Sequence, residues 1–226
     1  MKYAIGVLVL FLGARVAYGQ SELRFASHLE IHGVGATASG AATAVSMADT
    51  VTVVSERGTR TESHQTVPAI SGSIVIQRAD GTFVLEEREK TYFKTPAFSG
   101  SASAPAKTET TYSRTGEFAM IAGIRAERVS FKIETEIPTA TGAQATVETT
   151  GDLWLTDAFS DYKIAGIGQL GAATRPRGFP LRSVLRGGII GPNEVDVTVT
   201  SVAEEPFQPE LFDPPPDYKE RPIPRN

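Results

Sequence analysis

The sequence has no cysteine. Disulfides, thiol nucleophiles, Cys-ligated zinc and Cys-held iron–sulfur clusters are excluded together. A lipid-modified N-terminal cysteine is excluded as well. Histidine is scarce, with only His28, His32 and His64, and aromatics make up 8% of the chain with a single Trp. Basic charge is not in excess: 22 Lys and Arg face 26 Asp and Glu, and the formal net charge is −4. That balance argues against a nucleic-acid partner. There is no Walker A loop, no dinucleotide fingerprint and no G-x-S-x-G. Gly187-Gly188 with Gly191 lacks the strand–helix frame that a phosphate loop needs. After Gln20 no apolar stretch approaches membrane-spanning length, about 20 residues.

What is present is an ordinary globular composition of 226 residues, 41% apolar and 21% charged. One domain is the default at that length. The N-terminus reads as an address. Met1-Lys2 gives a positive charge, Tyr3 to Gly13 is apolar, and Ala17-Tyr18-Gly19 sets small residues at the −3 and −1 positions of a cleavage site. This is the pattern of a secretory signal peptide over residues 1–19. Its loss removes Lys2 and Arg15 from the 22 basic residues, leaving 20 against 26 acidic, a formal −6. The remainder is expected to be one β domain over 20–205 and a tail over 206–226, which holds seven of the 14 prolines. A chain of this size builds a sufficient core without disulfides.

Leu23 to Ile31 alternates apolar and polar residues, the signature of a half-buried strand. Val34 to Ala48 is rich in Gly, Ala, Ser and Thr and fits a loop or a short helix. Val51 to Val54 and Thr59 to Gln65 read as strands, the second polar and exposed. Ser73 to Arg78, Ala79-Asp80-Gly81 and Thr82 to Glu86 form a hairpin, and Thr91 to Lys94 extends it to a meander. Pro96 to Thr110 is linker-like. Strands restart over Tyr112 to Phe118, Ala126 to Ile137 and Ala145 to Thr156. Asp157 to Leu170 is the best helix candidate, with Leu181 to Leu185 a second short helical turn. Asn193 to Val202 is the last clear strand. With no βαβ rhythm, the fold class is mainly β and antiparallel, with one or two short helices and an extended Pro-rich C-terminal tail.

No grouping of side chains assigns a specific reaction. His28, Glu30 and His32 share one strand face, but i to i+4 spans about 13 Å on a strand, so one ion does not reach all three. A pair such as Glu30–His32, completed by Glu62 and His64 from a neighbouring strand, is geometrically possible, and a plain polar face is the simpler reading. Glu86–Glu87 and Glu204–Glu205 point to opposite faces and make no acid–base couple. Arg175, Arg177, Arg182 and Arg186 form a local basic patch, read as a solvated loop or as a contact for an acidic partner or a lipid headgroup. No catalytic residue, metal or cofactor is expected.

Four segments carry a resemblance: IVIQRADGTFVLEEREKTYFK from Ile74 to Lys94, TGEFAMIAGIRAERVSF from Thr115 to Phe131, GDLWLTDA from Gly151 to Ala158, and LFDPPPDYK from Leu211 to Lys219. In this order they resemble an uncharacterised exported bacterial family, similar in architecture to the LolA/LolB-type lipoprotein-carrier superfamily. Ala126 stands where members of that group often carry Cys. The resemblance implies a strongly curved antiparallel sheet, an incomplete barrel with a covered concave face, and it brings no catalytic residues. Such a face holds an acyl chain or a peptide. Phe83, Phe93, Phe131 and Trp154 are the candidate ligand contacts, against the plainer reading that they fill a core. The leading expectation is a non-enzymatic envelope protein, periplasmic or extracellular, binding a lipid or a lipidated protein. The alternative is a protein–protein module of the envelope using a sheet edge or the Pro-rich tail. A metal-dependent enzyme ranks third.

Overall fold

The structure, a computed structural model, describes residues 21–33, 43–65, 73–95, 107–138, 144–162 and 176–223. The expected signal sequence 1–19, the small-residue run 34–42, the linker-like stretch 96–106 and positions 163–175 lie outside the described residues. The strands are β1 Ser21–Gly33, β2 Thr43–Ser55, β3 Gly58–Gln65, β4 Ser73–Arg78, β5 Gly81–Glu86 and β6 Thr91–Thr95. They continue as β7 Thr108–Ile121, β8 Ile124–Pro138, β9 Gln144–Thr156, β10 Phe179–Gly187, β11 Glu194–Pro206 and β12 Lys219–Glu220. All belong to one sheet in the order β12-β6-β5-β4-β3-β2-β1-β11-β10-β9-β8-β7. Every pairing is antiparallel except β12 with β6. The sheet is curved and does not close. Shifts of register at Ala26/Ser27, Leu29/Glu30, Pro180/Arg182 and Arg114/Phe118 bend its strands. The curl brings β7 back against β11, although three strands separate them in the sheet.

The expected hairpin and meander over Ser73 to Lys94 are present, and β7 and β8 form a further hairpin. Ala79 and Asp80 turn between β4 and β5. Ala122 and Gly123 turn between β7 and β8 with φ of 49° and 76°, the positive-φ pair that matches strand twist. Two helical expectations are corrected. Leu181 to Leu185 lies within strand β10. Leu181, Ser183 and Val184 are all buried there between β9 and β11, and a strand buried on both faces loses the period-two signal. Of the longer candidate, Asp157 to Tyr162 makes only successive turns, Ser160 N–H to Asp157 O and Tyr162 N–H to Phe159 O. Among the described residues the helical elements are the 3-10 turns Gly188–Ile190 and Pro209–Phe212. The polar strand β3 is less exposed than its sequence suggests, with Thr59 and Arg60 buried.

The core changes face along the sheet. Val53 and Val54 are neighbours on β2 and both are buried, yet they belong to different clusters. Successive strand residues point to opposite faces. Val54 pairs with Leu23 and joins Phe25, Phe179, Leu181 and Val199. Phe25 meets Phe179 edge-on at 5.4 Å between centroids. Val53 pairs with Arg60, which pairs with Ile76, which pairs with Phe83. This second cluster is completed by the C-terminal segment, through Phe212 with Phe207, Leu211 and Tyr218. A third cluster, Val129, Phe131, Ile133, Leu153 and Leu155, lies on β8 and β9.

The segment from Pro206 is therefore structural. Arg60 Nη1 donates to Leu211 O at 3.0 Å, and Arg57 Nη2 donates to both Asp213 carboxylate oxygens at 2.7 and 2.9 Å. Arg78 also binds Asp213 and stacks over Phe83 at 4.4 Å. Beyond the prolines, Lys219 N–H reaches Lys90 O and Arg221 N–H reaches Tyr92 O, which adds β12 to the sheet. The segment also turns on itself, with Leu211 N–H donating to Gln208 O, Asp213 N–H to Glu210 O and Tyr218 N–H to Pro215 O.

Candidate ligand-binding surfaces

The four aromatics singled out in the sequence do not converge. Phe83 is buried beneath the C-terminal segment, between Arg78 and Lys94. Phe131 is buried in the β8–β9 cluster, with Tyr112 at 6.4 Å. Trp154 packs against the Leu23–Phe179 cluster, with the Arg182 guanidinium 4.7 Å from its ring. Phe93 is half-buried on β6 and pairs with Val84, on the face opposite Phe83.

Phe93 ends a cross-strand row. Phe25, Thr52, Thr61, Val75, Val84 and Phe93 are register partners in succession across β1 to β6. Directly opposed residues share a face. Phe25 and Thr52 are buried at the core end, whereas Val75, Val84 and Phe93 are half-exposed. This stripe lies on the side of β4–β6 opposite Phe212 and its cluster, and of the C-terminal segment Arg221 reaches it, its guanidinium 5.8 Å from the Phe93 ring centroid and paired with Glu86.

The other face of the β7–β11 half carries a ladder of charge. Glu117 pairs with Arg128, Arg128 with Asp152, Asp152 with Arg186 and Arg186 with Glu194, at 2.6 to 3.0 Å. Arg182 pairs with Asp196 at 2.6 Å. Burial pushes the Asp152 carboxyl up, but hydrogen bonds from Arg128, Ser130 and Arg186 outweigh it and hold the pKa down at about 2. Arg182 and Arg186 are thus neutralised on a strand, not set on a solvated loop. Arg175 lies outside the described residues. The ladder continues to β1, where Glu30 lies 3.3 Å from both His28 Nε2 and His32 Nε2, and His28 Nδ1 lies 2.6 Å from Asp49. Its hydrogen bond to Asp49 raises the His28 pKa. No group of three metal-ligating side chains is assembled among the described residues. The alternation on β8 of Arg128, Ser130, Lys132 and Glu134 was the sequence signal for this face.

Sequence reading missed one further feature. Beside the β7–β8 hairpin lies an open cleft of about 270 Å³, with Leu155, Phe118, Arg114, Arg125 and Arg177 in its walls. Phe118 and Met120 are 51% and 67% exposed. The Arg125 guanidinium lies 3.7 Å from the Phe118 ring centroid. Positions 118, 120 and 125 gave no pattern of their own, because the bulge after Arg114 resets the alternation of β7.

No protein-family model matches the chain, and no curated protein matches it in sequence. Among solved structures it is similar to a LolA superfamily protein from Nitrosomonas europaea, with 8% identity, TM-score 0.41, and coverage of 87% of this chain and 91% of that one. It is also similar to the lipoprotein LppX of Mycobacterium tuberculosis, with 12% identity, TM-score 0.33, and coverage of 77% and 84%. No described helix is long and apolar enough to cross a membrane.

Proposed function

We propose that this is an exported, non-enzymatic protein of the cell envelope that binds the hydrophobic part of a lipid or of a lipidated protein on its curved sheet. The supporting observation is the stripe Val75–Val84–Phe93, half-exposed on β4–β6 while the reverse face is sealed by the chain's own C-terminal segment. An acyl chain laid along it removes apolar surface from water, at about 25 cal/mol per Å². The signal pattern over residues 1–19 supports export.

Native mass spectrometry with solvent extraction, on protein purified from an envelope preparation, tests the reading. A reproducible adduct that extracts as lipid is expected. Phe93→Asp should abolish it while leaving the melting temperature within a few degrees, because the side chain is only half-buried. A clean apo mass, with no uptake of added fatty acid or phospholipid by the folded protein, overturns the proposal.

A second reading rests on β7. This 14-residue strand pairs only with β8 among the described residues and is largely exposed. Its outer edge is suited to an envelope protein that adds a strand. Thr111→Lys with Ser113→Lys should then abolish a complex recovered from the envelope. The C-terminal segment is a poor alternative docking element, since its apolar side chains and β12 already serve this chain's own sheet.

A further inference from the structure

We infer that the cleft beside the β7–β8 hairpin binds the anionic headgroup, phosphate or carboxylate, of an amphiphile whose chains leave across Phe118 and Met120. This rests on the reading above only in that the ligand is a lipid; it names the headgroup chemistry and places it on a surface separate from the Val75–Val84–Phe93 stripe, at the other end of the strand order.

The charges in the cleft are unevenly matched. Arg114 is paired with Glu127. Arg125 and Arg177 have no carboxylate within ion-pairing distance among the described residues, and Arg177 is exposed. With Asp157 also in the wall, three guanidiniums face two carboxylates, in a chain of net charge −4. Elsewhere on the sheet, Arg128, Arg182 and Arg186 all have carboxylate partners. An unpaired guanidinium is a planar fork that binds phosphate or carboxylate in bidentate fashion. Arg125 is already held by its stack on Phe118, so less side-chain freedom is lost on binding.

The apolar part of the argument comes from the same face. Phe118 pairs with Glu127 and Met120 with Arg125, while Glu127 pairs with Leu155 across the next strand. Phe118, Met120 and Leu155 therefore share a side of the sheet with the arginines. Leu155 is only 6% exposed and gives the cleft an apolar wall, while Phe118 and Met120 form an open lip. At about 270 Å³ the cleft is below the roughly 300–1,000 Å³ of sites that enclose a whole drug-sized ligand. It suits a headgroup, with the chains left outside.

The test is calorimetric titration of the full mature chain with dihexanoyl phosphatidic acid, dihexanoyl phosphatidylcholine and inorganic phosphate, each below its critical micelle concentration where one exists. The phosphatidic acid should bind at least tenfold more tightly than either other probe, and the preference should weaken with added salt. Arg177→Gln and Arg125→Gln should each erase most of that preference with unchanged melting temperature. Phe118→Ser should weaken both lipids alike. Equal binding of the two lipids, or an intact preference in both arginine variants, overturns the inference but leaves the lipid-binding reading standing. Binding of inorganic phosphate as tight as that of phosphatidic acid makes the cleft a free-anion site and overturns it too. Failure of both lipids to bind overturns the inference and counts against the underlying reading.

Discussion

Truncating Phe212 to alanine tests whether the C-terminal segment is part of the core. Phe212 is fully buried, packed on Phe207 at 6.0 Å and on the Ile74–Ile76–Phe83–Leu85 surface. Phe→Ala in a packed core costs about 3–5 kcal/mol, transfer and cavity together. The low end applies here, because a segment near the chain terminus closes over a cavity more easily than a central strand does. A loss of about 3 kcal/mol lowers the melting temperature of a chain this long by about 6–12 °C. Arg60 and Arg78 lose nothing directly, since their acceptors in the segment are Leu211 O, Phe212 O and the Asp213 carboxylate. The drop should therefore be apolar in origin and insensitive to salt. Thermal unfolding followed by circular dichroism gives the magnitude, and tryptic cleavage after Lys219 reports local release of β12. A loss under about 0.5 kcal/mol, the range of an ordinary surface substitution, with unchanged protection of Lys219, would refute the assignment of this segment to the core.

Asp152→Asn should cost about 2 kcal/mol at neutral pH, because the Asp152 carboxyl sits at about 2 against an ordinary 3.8. The native state favours the ionised form, so its contribution is present above pH 3.8 and is lost as pH falls towards 2; acid titration of stability should show a shallower limb in the variant. Gly151→Ala should destabilise by about 1–3 kcal/mol or more, since an added Cβ would stand 2.0 Å from Val184 O and 2.6 Å from Phe131 Cζ; an unchanged denaturant midpoint would contradict this. Glu22 is fully buried, with Oε2 accepting from Gln208 N–H and Oε1 without a partner among the described residues, and burial raises its pKa. Its stabilising contribution is complete below pH 4.5 and is lost as pH rises through the raised value. Glu22→Gln should therefore be neutral or stabilising at pH 7 and should flatten the pH dependence of unfolding there.

The sequence showed the antiparallel sheet where one face is wet. Leu23 to Ile31 alternates because β1 carries its core on one side and Arg24, His28 and Glu30 on the other. The Ala79-Asp80-Gly81 turn was legible because Asp-Gly between two strand-like runs is a turn signal, with Gly81 at a φ of 150°. Legibility failed where both faces are covered. Leu181 to Leu185 reads as helix because Leu181, Ser183 and Val184 bury both faces of β10 at that point, although Arg186 further along the strand is exposed. The order of strands was also hidden, since β1 lies at the middle of the sheet and pairs with β11, which follows it by some 170 residues. The candidate aromatics were scattered for the same reason. Alternation tells which residues share a face within one strand, but only register tells whether two strands' apolar faces are the same face.

The change of face at β2 gives the Val75–Val84–Phe93 stripe its weight. Where the β1 and β7–β11 half turns a face away from its core, that face is Arg24, His28, Glu30, Arg128, Asp152, Arg186 and Asp196, charged and mutually paired. This is how a sheet is expected to meet water. In the β3–β6 half the core lies under the C-terminal segment, so the same logic calls for polar residues on the reverse face. Thr61 meets that expectation; Val75, Val84 and Phe93 do not. A solvent face gains nothing from a contiguous valine–valine–phenylalanine row, and β-propensity alone is met equally well by threonine. Something apolar is the natural complement of that row. Threonine at positions 75 and 84 together should leave the sheet folded and remove lipid uptake, whereas retained uptake would place the acyl chain elsewhere and strip the stripe of its role.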